Sequence, residues 1–174
     1  SADFRNHPLY YLILDILKNH NKEFFRIKLF YSGPDESSIE HEAFKKLDCQ
    51  FINLSTKNDA RCAQLIRDEE VDVLVDLSGF TQNSRSFIAA YKPARYHINW
   101  LGFAGSMGFH YQKPLFDFIL ADKYIIPDGK IDDYAEKVLY LPHCYQPNIA
   151  DRPKLTSKTK KDYGFNDHTF IYAS

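Results

Sequence analysis

No apolar run in this chain approaches the roughly 18 residues that a membrane span requires. The longest candidate, YYLILDILKN, is short and is interrupted or flanked by charge. A secretory signal is missing too, since SADFRNHP offers neither a basic start nor an apolar stretch behind it. Cysteine is scarce: Cys49, Cys62 and Cys144 show neither CxxC spacing nor a pairing pattern. Three scattered thiols fit a reducing compartment, where they act as small hydrophobes. Positive charge is not concentrated either. The net charge is −1, and KLTSKTKKD near the end is the one dense basic run, which argues against DNA or RNA as a main partner. The expectation is a cytoplasmic protein with no membrane and no nucleic acid among its partners.

Familiar signatures of chemistry are also absent. GxGxxG does not occur, which weakens a dinucleotide site, and the lack of GxxxxGK[ST] excludes P-loop chemistry. No histidine pair has HExxH or His-x-His spacing, so no metal is expected, and Ser78 in LSGF is not a GxSxG elbow. Glycine itself is rationed. The chain has seven, yet Gly102, Gly105 and Gly108 crowd into the stretch NWLGFAGSMGFHYQKP. On spacing alone that cluster reads as a turn rather than a phosphate cradle. Its position at a strand end favours a backbone that must come close to a ligand.

What is present is an ordinary globular balance, 44% hydrophobic and 26% charged, with 16% aromatic residues pointing to a core built on rings. From Pro8 to about Asn19, Leu9, Leu12, Ile13, Ile16 and Leu17 recur at helical spacing, with Pro8 suited to the first turn. FFRIKLFYS reads as a strand, SSIEHEAFKKL as a helix capped by Ser37 or Ser38, CQFINLS as a short strand, and NDARCAQLIRDEE as a helix opened by Asn58 or Asp59. VDVLVDLSG has the mostly apolar content of a strand buried on both faces. A short helix in SRSFIAAYK, strands in YHINWLGF, FDFILAD and KVLYLP, a basic helical tail in SKTKKDYGF and the start of a strand in TFIYAS complete the order.

This alternation predicts an α/β fold: a Rossmann-like, mainly parallel sheet with helices on both faces. A series of this kind that opens on a helix is expected to have a further strand before SADF. In open α/β sheets ligands bind beyond the carboxyl ends of strands. DFRNHP, LSGFTQNS and LGFAGSMG all fall at such ends, so they are expected to converge on one rim.

Among individual residues, His7 stands before Pro8 at a helix N-terminus, where the positive end of the dipole favours a neutral imidazole able to accept a proton or bond a ligand. A purely structural capping role is the alternative. His20 and His41 fall on solvent faces; His110, with Tyr111, is placed to orient a ligand, and His143 to fix a turn or do the same. Asp76 either faces the cleft or holds the loop that follows it.

Taken in order, DFRNHP, VDVLVDLSGFTQNSR, YKPARYHINWLGFAGSMG, FDFILADKYIIP and EKVLYLPHCYQPN resemble the catalytic region of the O-linked N-acetylglucosaminyltransferases, glycosyltransferase family 41, in its bacterial-type form. The resemblance covers essentially the whole chain. It implies the N-terminal lobe of a GT-B glycosyltransferase, with residues 1–150 forming the Rossmann-like lobe (its first strand missing) and 151–174 a linker helix and the start of a second lobe. It also implies inverting, metal-independent transfer of N-acetylglucosamine from UDP-GlcNAc to Ser or Thr hydroxyls of proteins. No cofactor is implied beyond that donor, which the second lobe would mainly bind, and tetratricopeptide repeats usually precede the region.

By the same resemblance His7 is the active-site histidine of the N-H-P motif, followed by Pro8. Thr81 lines the donor cleft, with Phe80 where many members have Tyr and Gln82 where animal members commonly have Lys. Leu101 and Gly102 bring backbone to the donor sugar, and Gly105 belongs to the same loop. Ala104 stands where proline is common, which implies a less rigid loop, and Ser106 and Met107 stand where a Thr-Ser or Thr-Met pair is common. The isolated lobe is expected not to turn over substrate. A relative using another sugar or an Asn acceptor, a non-catalytic α/β binding module, and an NAD-dependent enzyme are the competing readings.

Overall fold

Pro8 has no N–H to lose at a helix start, and Leu9, Ile13, Leu14 and Leu17 form one buried stripe behind it; together they make α1, Pro8–Asn19. The computed structural model describes residues 1–150 and 157–172. After α1 come β1 (Lys28–Tyr31), α2 (Ile39–Lys45), β2 (Gln50–Asn53), α3 (Asp59–Asp68) and β3 (Val73–Asp76). A 3-10 turn at Ser86–Tyr91 leads to β4 (Tyr96–Asn99), then a small hairpin of β5 (Phe109–His110) and β6 (Lys113–Pro114). β7 (Phe118–Ala121), a 3-10 turn at Asp128–Asp133 and β8 (Lys137–Tyr140) follow. The Ser38 hydroxyl caps α2 by accepting from the His41 N–H, and the Asn58 side chain caps α3 by accepting from the Arg61 N–H.

β1 and β2 pair in parallel, and β3, β4, β7 and β8 form a second parallel sheet in that order. Helices lie on both faces, and β1 shows why. Leu29 and Tyr31 pack with α1 and Phe44, whereas Phe30, between them, packs with Cys62, Ala63 and Ile66 of α3. The α/β class expected from the alternation is therefore the class observed. β1 and β3 are not bonded to each other, and between them lies a cavity of about 750 Å³ with largely apolar walls.

Several expectations are corrected. The first strand is shorter than FFRIKLFYS, because Phe24 and Phe25 stand exposed ahead of it. β3 is not buried on both faces: Val73 and Val75 are exposed, since one edge of the strand looks into that cavity. His41 is buried, not solvent-facing; its Nδ1 lies 2.6 Å from the Phe4 carbonyl oxygen and its ring packs on Tyr31 and Phe51. The tail carries only a 3-10 turn, Lys160–Tyr163, closed by Gly164, and 169–172 form no strand. The proposed boundary at 151, the start of the linker helix and the last two residues of TFIYAS lie outside the described residues.

One carboxylate organises the end of β7. Asp122 accepts backbone N–H bonds from Tyr145 at 2.8 Å and from Tyr124 and Ile125 at 2.9 Å each. These donors, Tyr145 foremost, hold its pKa below the ordinary carboxylate value. A lowered folded-state pKa contributes stability that is present above the unfolded value and lost as pH falls through the folded one. Asp122→Asn is thus expected to lower the Tm at pH 7, with the gap to the parent closing as pH falls below the carboxylate range. Thermal melts across pH check this; a gap that does not change with pH would refute it.

Candidate active site

The segment before α1, the loop after β3 and the loop after β4 meet in a second, smaller cavity of about 230 Å³. Asp3, His7, Pro8, Leu9, Leu12, Leu77, Thr81, Leu101 and Gly102 line it. Five of the six residues singled out from the sequence, His7, Pro8, Thr81, Leu101 and Gly102, therefore share one wall space. Gly105 does not line it. His110 and His143 are not there either: His110 sits in β5 with its ring against Tyr111, and His143 occupies a left-handed turn position, φ 70°.

His7 is the N-cap of α1, in extended conformation at φ −156° and ψ 151°. Its Nδ1 accepts the Leu9 N–H at 3.2 Å, so the neutral ring carries its proton on Nε2. Nε2 lies 3.9 Å from Oδ1 of Asp3, a buried carboxylate that also takes a 3.3 Å bond from Arg5 Nη2. The imidazole is thus held at one nitrogen by the helix and presents the other as a donor beside a carboxylate. Such a group can bind and orient a hydroxyl or an anionic oxygen. As a base it lacks a free lone pair in this arrangement.

The loop after β3 is tied down by Asp76, which resolves its two readings in favour of holding the loop. Its carboxylate accepts from the Ser78 N–H at 3.2 Å, from the Gly79 N–H at 3.1 Å, and from the Ser86 hydroxyl. Thr81 Oγ1 donates to the Ser78 carbonyl at 3.0 Å, which fixes its side chain on the rim. Across from it, the Gly102 N–H reaches the Trp100 carbonyl at 3.1 Å, a tight turn around Leu101 with φ 73°. A non-glycine residue held there costs roughly 1–3 kcal/mol and persists only where its surroundings over-determine it. Leu101 is buried in the α1 core, which supplies that determination.

Gly102 is small for a reason internal to the protein. A Cβ on it would stand 2.5 Å from the carbonyl oxygens of Leu77 and of Ser78, so the two loops touch backbone to backbone here. Gly108, by contrast, has open space around it and a φ of 71° in the turn before β5.

The rest of the 101–108 loop is secured from behind. Asn99, fully buried, donates through Nδ2 to the Phe103 carbonyl at 3.0 Å and the Gly105 carbonyl at 3.5 Å. Tyr134 donates to the Ala104 carbonyl at 3.0 Å. Glu136 accepts the Met107 N–H at 2.7 Å and the Ser106 hydroxyl at 2.8 Å. At Ala104, where proline is common in the family, the carbonyl is held by the Tyr134 hydroxyl bond.

Sequence reasoning missed Asp3, Asn99, Tyr134 and Glu136, and it missed His97. His97 is buried, with its N–H donating to Asp117 Oδ2 at 2.8 Å and its Nδ1 3.2 Å from the same oxygen. Burial pushes its pKa down, against the opposing pull of the Asp117 bond. Asp3 alone had a local signal, a carboxylate four residues before a histidine.

With that geometry in hand, comparison with known proteins is informative. The model of Glycosyl transferase family 41 matches residues 1–164. The chain is 28% identical over 179 residues to the probable UDP-N-acetylglucosamine–peptide N-acetylglucosaminyltransferase SEC of Arabidopsis thaliana, covering 99% of this chain and 18% of that protein. It is 26% identical over 149 residues to the UDP-N-acetylglucosamine–peptide N-acetylglucosaminyltransferase of Caenorhabditis elegans, covering 83% of this chain and 12% of that one. The chain thus spans less than a fifth of the length of these relatives. A solved mutant of the O-GlcNAc transferase of Thermobaculum terrenum superposes with a TM-score of 0.81 at 24% identity, over 91% of this chain and 30% of that one. That likeness is one of fold, the α/β architecture of a GT-B glycosyltransferase. Since the family match runs through every segment that builds the small cavity, from Asp3 to Gly102, and on to the ties at Tyr134 and Glu136, the chain belongs to glycosyl transferase family 41.

Proposed function

We propose that this chain is the first lobe of an inverting glycosyltransferase that moves N-acetylglucosamine from UDP-GlcNAc to Ser or Thr hydroxyls of proteins. The observation that carries the reading is the cavity shared by His7, Thr81, Leu101 and Gly102 in a member of this family. The reaction is a displacement at the anomeric carbon. The acceptor oxygen attacks the anomeric carbon, and the bond from that carbon to the diphosphate oxygen breaks so that UDP leaves with the electron pair. The hydroxyl proton passes to water or to the departing diphosphate. His7 contributes by donating from Nε2–H to an oxygen of the sugar or acceptor, holding the reactants in line. The loop at Leu101 and Gly102 forms the opposite wall and keeps water from the reacting carbon.

In this reading a second lobe, outside this chain, carries most of the UDP contacts, and tetratricopeptide repeats upstream present the protein acceptor. No metal or further cofactor takes part, and the compartment is the cytoplasm.

The longer protein containing this lobe is expected to label protein hydroxyls from radioactive UDP-GlcNAc, with UDP-glucose and GDP-fucose offered in parallel giving little. The 174-residue chain alone is expected to give no transfer and no UDP-GlcNAc hydrolysis. Labelling from another donor, no labelling from any, or turnover by the isolated chain would each overturn the proposal.

A further inference from the structure

We infer that Asp3 is a ligand-binding residue of the small cavity: with His7 it grips one hydroxyl, of the transferred sugar or of the acceptor, which accepts from the imidazole and donates to the carboxylate. The inference rests on the proposed transfer reaction and deepens it, adding a residue to the site and a rule for what the site takes.

Its first support is spacing. His7 Nε2 and Asp3 Oδ1 stand 3.9 Å apart, beyond the reach of a direct hydrogen bond. One oxygen about 2.8 Å from each would see them at roughly a right angle, open enough to accept on one side and donate on the other.

The second support is polarity. Nδ1 of His7 is taken by the Leu9 N–H, so Nε2 serves as a hydrogen-bond donor, whereas an ionised carboxylate only accepts. A donor beside an acceptor suits a group that is both, and among the groups of a sugar nucleotide and a Ser or Thr side chain that group is a hydroxyl. The imidazole alone would take an anionic oxygen equally well. The carboxylate beside it selects against one, since a phosphate oxygen held there meets a like charge. Asp3 thereby turns the diphosphate away from this end of the cavity and the sugar or the acceptor towards it.

The third support is unused capacity. Asp3 is 5% exposed, yet among the described residues its carboxylate takes a single hydrogen bond, from Arg5 Nη2 at 3.3 Å. Arg5 is itself anchored, its Nε donating to the Ala2 carbonyl at 3.3 Å. A carboxylate offers about four acceptor positions, and buried polar groups normally fill theirs. Asp3 and His7 both line the cavity, and Pro8, Leu9, Leu12, Leu77 and Leu101 make much of its remaining wall apolar. Such a wall strengthens each polar bond made against it.

Binding and kinetics on the longer protein test this, with Asp3→Asn as the variant. The amide keeps the shape of the carboxylate and an oxygen for Arg5 but loses the charge, and thermal melts check that it folds. If the hydroxyl belongs to the sugar, Asp3→Asn is expected to weaken UDP-GlcNAc binding about 10-fold by calorimetry and to leave UDP binding unchanged. One among a set of UDP-GlcNAc analogues, each lacking a single sugar hydroxyl, then binds the parent about 10-fold more weakly, with that penalty largely gone in Asp3→Asn. If the hydroxyl belongs to the acceptor, UDP-GlcNAc binding holds and KM for a Ser peptide rises about 10-fold. The same peptide with Ala in place of Ser then inhibits parent and variant equally. Transfer by the parent, with all these constants unmoved in the variant, overturns the inference and leaves the reaction standing. A parent that takes no sugar from UDP-GlcNAc overturns both. Should Asp3→Asn not fold, the parent decides alone: equal binding of every analogue, and of the Ser and Ala peptides, overturns the inference.

Discussion

Replacing Gly102 with alanine is expected to destabilise the fold by about 3 kcal/mol, one of the larger effects open to a single methyl group. Gly102 is not in the left-handed region, so conformational preference contributes nothing to this figure. The whole cost comes from contact, because the new Cβ would lie 2.5 Å from two carbonyl oxygens, those of Leu77 and Ser78. Backbone cannot swing aside as a side chain can, so either the loop after β3 or the turn at Leu101 must shift. Both line the small cavity, and its shape goes with them. Gly108→Ala supplies the internal comparison. Nothing crowds that position, and its left-handed φ alone sets a cost of about 1 kcal/mol. Urea denaturation of the two variants checks the order, and equal midpoints would remove the backbone-to-backbone contact as the reason for glycine at 102.

The second large effect concerns His7. In the longer protein, His7→Ala is expected to lower kcat/KM for transfer by about 100-fold, the scale lost with one well-placed donor at a reacting centre. The same change removes the cap on the Leu9 N–H, which costs about 1 kcal/mol of stability. His7→Asn separates the two roles: its side-chain oxygen restores the cap, while its shorter amide fails to reach where Nε2 points. Stability is then expected to recover and kcat to stay low. The pH profile decides between donor and base. With Nδ1 engaged by the helix and the proton on Nε2, the profile of His7→Asn is expected to keep the shape of the parent and only drop in height. Disappearance of the acid limb would instead assign proton abstraction to this ring.

The parts of this architecture that could be read from the sequence are those fixed by neighbours along the chain. α1 starts at Pro8 and ends near Asn19 as its spacing requires, and Ser38 and Asn58 cap the next two helices because a capping oxygen needs only its own turn. The convergence of DFRNHP, LSGFTQNS and LGFAGSMG was legible from topology, since parallel strands deliver their carboxyl ends to one rim. What was not legible depends on partners far away. Asn99 has a strand-like address and a loop-holding task, and Glu136 grips a hydroxyl 30 residues earlier. His41 looked like a surface residue of a short helix, but the Phe4 carbonyl and the Tyr31 ring close over it. The β5–β6 hairpin escaped notice because its turn, Tyr111 and Gln112 at φ 46° and 64°, lacks the Asn or Gly usual in left-handed positions.

The grip of Tyr134 and Glu136 on the 101–108 loop bears on how members of this family can diverge. The loop's conformation is written in two places, and the second, just ahead of β8, carries no cleft residue of its own. Tyr134 bonds the Ala104 carbonyl and Glu136 the Met107 N–H, backbone groups that persist when loop residues change, and only the Ser106 hydroxyl bond to Glu136 depends on a loop side chain. The residues at 104 and 107 are thus free to vary without loosening these two ties, whereas loss of the hydroxyl at 106 leaves the buried Glu136 carboxylate one donor short.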